Sequence, residues 1–168
     1  MPNRFQFVKI WDILEKVKNI LWVDNIDKIN GTIKIYESDQ HLRGVIVGSY
    51  KLIGTFPCIN LEPIDTTINV AATNYSFNIP QSANIGVYVK NLAREVAVKY
   101  LCHVTQTVVE ILMSPEYNRF VLPGEGTVYN SNVFGTIRYG FMEGGAVRAA
   151  LIPYTANVWR SGRKFNEA

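Results

Sequence analysis

Histidine and cysteine carry much of the chemistry of small proteins, and this chain holds two of each: His41, His103, Cys58 and Cys102. A structural zinc site takes four such ligands at close spacing. The cysteines stand 44 positions apart, and neither histidine is spaced to complete a set with them. Nucleophilic catalysis needs a serine or cysteine, a histidine base and an orienting carboxylate. His103 lies beside the apolar stripe of a predicted helix and next to Cys102, which fits a partly buried structural histidine better than a base. Cys58 in a predicted strand and Cys102 in that helix read as small buried hydrophobes. His41 carries no motif.

Acid–base chemistry fares no better. Asp24 and Asp27 stand three apart and Glu37 and Asp39 two apart, all in turn-forming stretches where solvated acids are ordinary. Gly124-Glu125-Gly126 and Gly144-Gly145 resemble fragments of phosphate loops, but lack the Gly-Lys-Ser/Thr ending and the dinucleotide-binding spacing. They read as turn glycines. We therefore expect no enzyme activity, no metal and no cofactor.

Charge and aromatic residues point instead to surfaces. Residues 1–137 hold 12 Lys+Arg and 12 Asp+Glu, so the whole formal charge of +3 comes from residues 138–168. There Arg138, Arg148, Arg160, Arg163 and Lys164 stand against Glu143 and Glu167. The excess is spread over two strands and a tail, which is weaker than a nucleic-acid patch; solvated strand edges and a polar tail account for it first, and a surface facing an acidic partner second. Tyr75, Phe77, Tyr139, Phe141, Tyr154 and Trp159 all fall on alternating stretches. A sheet core under helices accounts for them first, subunit contacts second, and base stacking on an RNA-binding sheet a distant third, since Tyr75 and Phe77 sit among Asn and Ser. The residues expected at a subunit or partner interface are Arg138, Arg148, Tyr154, Trp159 and Arg160.

The elements that must position these residues follow from periodicity. Phe7, Ile10, Trp11, Leu14, Val17 and Leu21 trace a helical stripe that fades at Val23-Asp24-Asn25. Ile33 and Ile35 alternate with Thr32 and Lys34, predicting a short strand over 31–36. Residues 37–54, broken by glycines at 44, 48 and 54, could be a strand pair or an irregular excursion. Strands are predicted from Phe56 to Leu61, closed by Pro63, and from Asn69 to Ile79, ended by Pro80. Ile85 to Val89 is a further strand, after which Asn91 is a candidate helix cap. Leu92, Val96, Leu101, Val104, Val108, Ile111 and Leu112 then form the longest helical stripe, stopped at Ser114-Pro115. Tyr117 to Gly126 reads as a loop. Two alternating stretches, 132–141 and 151–159, joined at Glu143-Gly144-Gly145, close the chain as a hairpin.

The order is helix, strands, long helix, hairpin, without βαβ alternation. This is the α+β class: a mostly antiparallel sheet packed by an N-terminal helix and one long central helix, closing with a β-hairpin. The 168 residues suit a single domain, 1–168, with a polar C-terminal tail over 161–168. A 48% hydrophobic and 18% charged composition is that of a folded protein. Lys9, Asp12 and Glu15 interrupt any signal-like run, and stretches such as Val45-Ile46-Val47 are too short to span a bilayer, so synthesis in the cytoplasm and no membrane contact are expected.

In this layout the chain resembles the tail terminator, or tail completion, proteins of long-tailed phages. The resemblance rests on the leading amphipathic helix, the Phe56-Pro57-Cys58-Ile59-Asn60-Leu61-Glu62-Pro63 strand, the helix from Leu92 to Leu112 and the hairpin ending near Arg160. It spans Phe7 to Arg160, is carried by layout and not by a short motif, and does not account for residues 37–54. It implies a homo-oligomeric ring, commonly a hexamer, in the neck of a virion. Such a ring caps the tail tube protein, docks onto a head-completion or connector protein, and lets DNA pass through its lumen without reading its sequence. It brings no catalytic residues. Another head–tail adaptor, or a small RNA-binding domain, are the alternatives.

Overall fold

The computed structural model describes residues 10–33, 40–66, 69–70, 76–120 and 129–161, with side chains over 10–33, 40–64, 80–120 and 134–157. Phe7, Glu37, Asp39, Tyr75, Gly124-Glu125-Gly126 and the tail over 162–168 lie outside the described residues, as do the side chains of Phe77, Trp159 and Arg160.

Two 15-residue strands, β4 (Ser76–Lys90) and β7 (Val147–Ser161), form the spine of the sheet and pair antiparallel from Ser76↔Ser161 to Lys90↔Val147. Beside β4 runs β2 (Cys58–Thr66), and β3 (Asn69–Val70) continues along the same side of β4. Strand β1 (Gly44–Val47) pairs parallel with β2 and forms one outer edge. Beyond β7, β5 (Tyr129–Phe134) and β6 (Arg138–Met142) lie end to end along the other edge. The sheet is thus mostly antiparallel, and the chain closes with the β6–β7 hairpin over Glu143–Gly145, where Glu143, Gly144 and Gly145 all take positive φ.

Prolines explain where the ladders break. Pro63 and Pro80 do not end their strands, contrary to expectation: β2 runs on to Thr66 and β4 through Pro80. A strand survives the loss of one donor where pairing is already interrupted. The β2–β4 register shifts between Pro63 and Thr66, and Pro80 faces the interval between β2 and β3. The stretch expected as one strand over 132–141 is split by Pro153 in the neighbouring strand. Its carbonyl accepts Gly135 N–H at 2.9 Å, so its missing N–H faces the same edge. Three residues, 135–137, therefore pass opposite 152–153 as a bulge between β5 and β6.

Helices cover one sheet face. The first, α1 (Ile10–Asn19), buries Ile13, Leu14 and Val17 and runs into a wider π-helical turn, Ile20–Asp24. Next comes α2 (Ile26–Ile33), which takes in residues 31–33 of the strand expected over 31–36, the rest of which lies outside the described residues; the spacing Ile26, Ile29, Ile33 is helical, and Ile29 and Ile33 are buried. The Asn25 carbonyl opens it by accepting from Lys28 and Ile29, and Thr32 Oγ1 bonds back to Ile29 O at 2.6 Å. The long helix α3 (Arg94–Met113) buries Tyr100, Leu101, Val104, Val108, Ile111 and Leu112. Although long and apolar enough to cross a membrane, α3 packs this stripe on the sheet, against Ile85, Val87, Ile152 and Tyr154 in one core. Its cap is Ala93, not Asn91: Asn91 takes φ +58°, and its N–H bonds Ala146 O at 3.1 Å.

The opposite face is covered by the connection from β1 to β2, which takes in the end of the stretch left open over 37–54 and the first two residues of the strand expected from Phe56. Residues 48–57 carry a short 3-10 helix, Tyr50–Leu52, and lay Tyr50, Ile53 and Phe56 over Tyr88, Val147 and Ala149. Tyr50 packs on Tyr88 with ring centroids 4.9 Å apart and donates to Glu143 Oε1 at 3.0 Å. Lys90 lies 5.5 Å from the Phe56 ring centre and 3.6 Å from Glu143.

Candidate functional site

Where α3 meets the β6 edge, apolar and cationic groups are left at the surface together. Arg94, Val98, Leu101, Cys102 and Thr105 fall at helical spacing along one side of α3, facing β6. On β6, Tyr139 and Phe141 pair with Ala150 and Arg148 of β7, so both rings and the Arg148 side chain share the helix-side face. An open cleft of about 320 Å³ is lined by Arg94, Val98, Leu101, Tyr139, Phe141 and Arg148. Tyr139 is 52% exposed and Phe141 69%. Past the margin of α3, none of the described residues covers them.

The electrostatics of this surface are one-sided. Among the described residues the ion pairs are Lys90–Glu143 and Lys99–Glu95, so Arg94, Arg138 and Arg148 have no carboxylate partner there. Partial burial raises the Tyr139 phenol above its ordinary range, and Thr105 Oγ1 lies 3.5 Å from its hydroxyl. Strand β6 pairs with β7 alone, so its outer backbone has no strand partner among the described residues. Exposed rings, guanidiniums and an open strand edge can bind an apolar surface that carries acids.

The expected interface residues divide. Arg138 is exposed on β6 and Arg148 half-buried beside Phe141. Tyr154 is corrected: it is 1% exposed, with its ring 5.7 Å from Phe134 under α3, and serves the core. Trp159 and Arg160 lie at the far end of β7, paired with Asn78 and Phe77 through the backbone. Tyr139 and Phe141, expected in the core, are the surface residues that sequence reasoning missed. Cys102 is likewise exposed, not buried, while Cys58 is buried as expected, and burial pushes its thiol up to about 11. His103 is half-buried on α3 and His41 exposed before β1. Among the described residues no three His, Cys, Asp or Glu gather as a metal site.

Fold and surface together define an α+β chain with a basic, aromatic sheet edge. No protein-family model matches the chain, and no curated protein matches it. Among solved structures it is similar to a chain of the virion of the native gene transfer agent particle, with a TM-score of 0.58 and 13% identity. The match covers 92% of this chain and 100% of that one, so what the two share is the whole fold.

Proposed function

We propose that this chain is a structural subunit of a phage-type virion, and within it the subunit of a neck ring that terminates the tail tube and joins tail to head. Its work is shape and surface complementarity, without catalysis. The observation that carries the reading is the fold match to a virion chain along that chain's entire length. The layout that resembles tail terminators supports the finer assignment: leading helix, long central helix and closing hairpin. The uncovered β6 edge supports assembly, since monomeric proteins seldom leave adjacent large aromatic groups exposed on an open strand. The partners are further copies of the chain, the tail tube protein and a head-completion or connector protein, with DNA crossing the lumen unread.

Deletion of the gene tests this. The expected result is packaged heads and separate tails, with tubes of unregulated length, restored to joined particles by the gene in trans. A head-completion adaptor would instead leave tails of normal length beside heads that lose DNA. Joined, infectious particles made without the chain would contradict both. Salt-sensitive RNA binding that Arg148 substitution weakens would favour the nucleic-acid alternative.

A further inference from the structure

The described surface has eight large exposed hydrophobic residues, and six of them gather at the two opposite edges of the sheet. Val98, Tyr139 and Phe141 stand at the β6 edge. At the β1 edge, Trp11 and Leu52 converge over Gly48, where a Cβ would meet Leu52 Cδ1 at 3.0 Å and Trp11 Cη2 at 3.9 Å. Val23 belongs to the π-helical turn that packs on β1. Trp11 is 47% exposed and Leu52 67%.

The β6 edge is cationic, whereas the β1 edge mixes charges and carries its acids beside Trp11 and Val23. Exposed Asp12 adjoins Trp11 and exposed Asp24 adjoins Val23, with Lys51 beside Leu52 and Arg43 just before β1 the contrary charges. The β6 edge carries Arg94, Arg138 and Arg148, while Glu95 there is held by Lys99 at 3.3 Å. Among the described residues, neither Asp12 nor Asp24 has an ion-pair partner. Among the described residues both outer strands are also open, β1 pairing only with β2 and β6 only with β7.

Two unlike surfaces at opposite edges cannot make a self-matching two-fold contact. They make a head-to-tail contact, which closes into a ring or runs on as a filament. We propose that the β6 edge of one copy seats on the β1 edge of the next, with Tyr139 and Phe141 against Trp11 and Leu52. Arg94 and Arg148 then face Asp12 and Asp24. The inference rests on the ring reading and names the two surfaces that build the ring.

Mixing two edge variants tests the polarity of the contact. Phe141→Asp spoils only the β6 edge and Trp11→Asp only the β1 edge; both positions are exposed, and circular dichroism melts check that each variant folds. Light scattering should show the wild-type chain as closed oligomers at high concentration and each variant alone as a monomer. A 1:1 mixture should form dimers of twice the chain mass, because one intact edge of each kind remains. Wild-type chain that stays monomeric, variants that still assemble, or a mixture that stays monomeric would overturn the edge pairing. Particles that contain the chain as a ring joined through another surface would leave the virion reading standing. Edge-paired rings from a chain absent from particles would do the reverse.

Discussion

At Gly86 the absence of a side chain shapes the second face of the sheet. A Cβ there would stand 2.5 Å from Tyr88 Cε2 and 2.6 Å from its Oη, so the ring folds back over the glycine of its own strand. Tyr50 packs on that ring and holds the 48–57 connection in place. Gly86→Ala should therefore cost about 1–3 kcal/mol in chemical unfolding, as overpacking does. The same change on a Tyr88→Ala background should cost much less, a coupling that a double-mutant cycle reads directly. The same face makes stability pH-dependent. Burial raises Cys58 from 9.0 to about 11, and burial, then Glu62, Tyr50 and Cys58, raise Tyr88 from 10.0 to about 12. Both groups are neutral acids that the unfolded chain ionises first. Their contribution is complete below pH 9 and is lost as pH rises toward 11 and 12, by roughly 2 kcal/mol per group. Urea midpoints should be flat to pH 8.5 and fall above it, with a shallower fall between 9 and 11 in Cys58→Ala.

Among the elements, α2 shows how one run of residues can satisfy two periods. Ile33 and Ile35 alternate as in a strand, whereas Ile26, Ile29 and Ile33 recur as in a helix; reading from Gly31 onward shows only the first. Tertiary packing decides for the helix, with Ile29 and Ile33 buried in the core and Asn30 Oδ1 accepting Leu42 N–H at 2.9 Å. Ile29→Ala should cost about 2–5 kcal/mol, as buried large-to-small changes do. At the β4–α3 junction, Asn91 in the left-handed region predicts an asymmetric pair of outcomes. Asn91→Ala should lose about 1 kcal/mol, while Asn91→Gly stays near wild type. Strand β7, α3 and the closing hairpin were legible because each keeps one period for many residues, whereas β4 read as two strands because Pro80 lies within it. The 48–57 connection was not, because its hold on the sheet is a handful of contacts distant in sequence, such as Tyr50 with Tyr88 and Glu143.

For the molecule as a whole, alternation told which residues share a face but not which faces are covered. Tyr139 and Tyr154 follow the same pattern on adjacent strands. One lies under α3 and the other beyond its margin, a difference set by where a helix ends up and not by either residue's neighbours in sequence. That is why Arg138 and Arg148 could be picked out by charge while Tyr139 and Phe141 were placed in the core. The resulting picture is a sheet with a basic, aromatic edge on one side and an apolar edge of mixed charge on the other, in a fold shared with a virion chain. We propose that this chain is built into a particle at the junction of head and tail. Immunogold labelling of purified particles, with an antibody raised against the chain, tests that most directly. Gold should be confined to the neck and absent from tail tips and capsid faces. Label spread over the capsid or the tail shaft, or no label on particles whose other proteins stain, would contradict it.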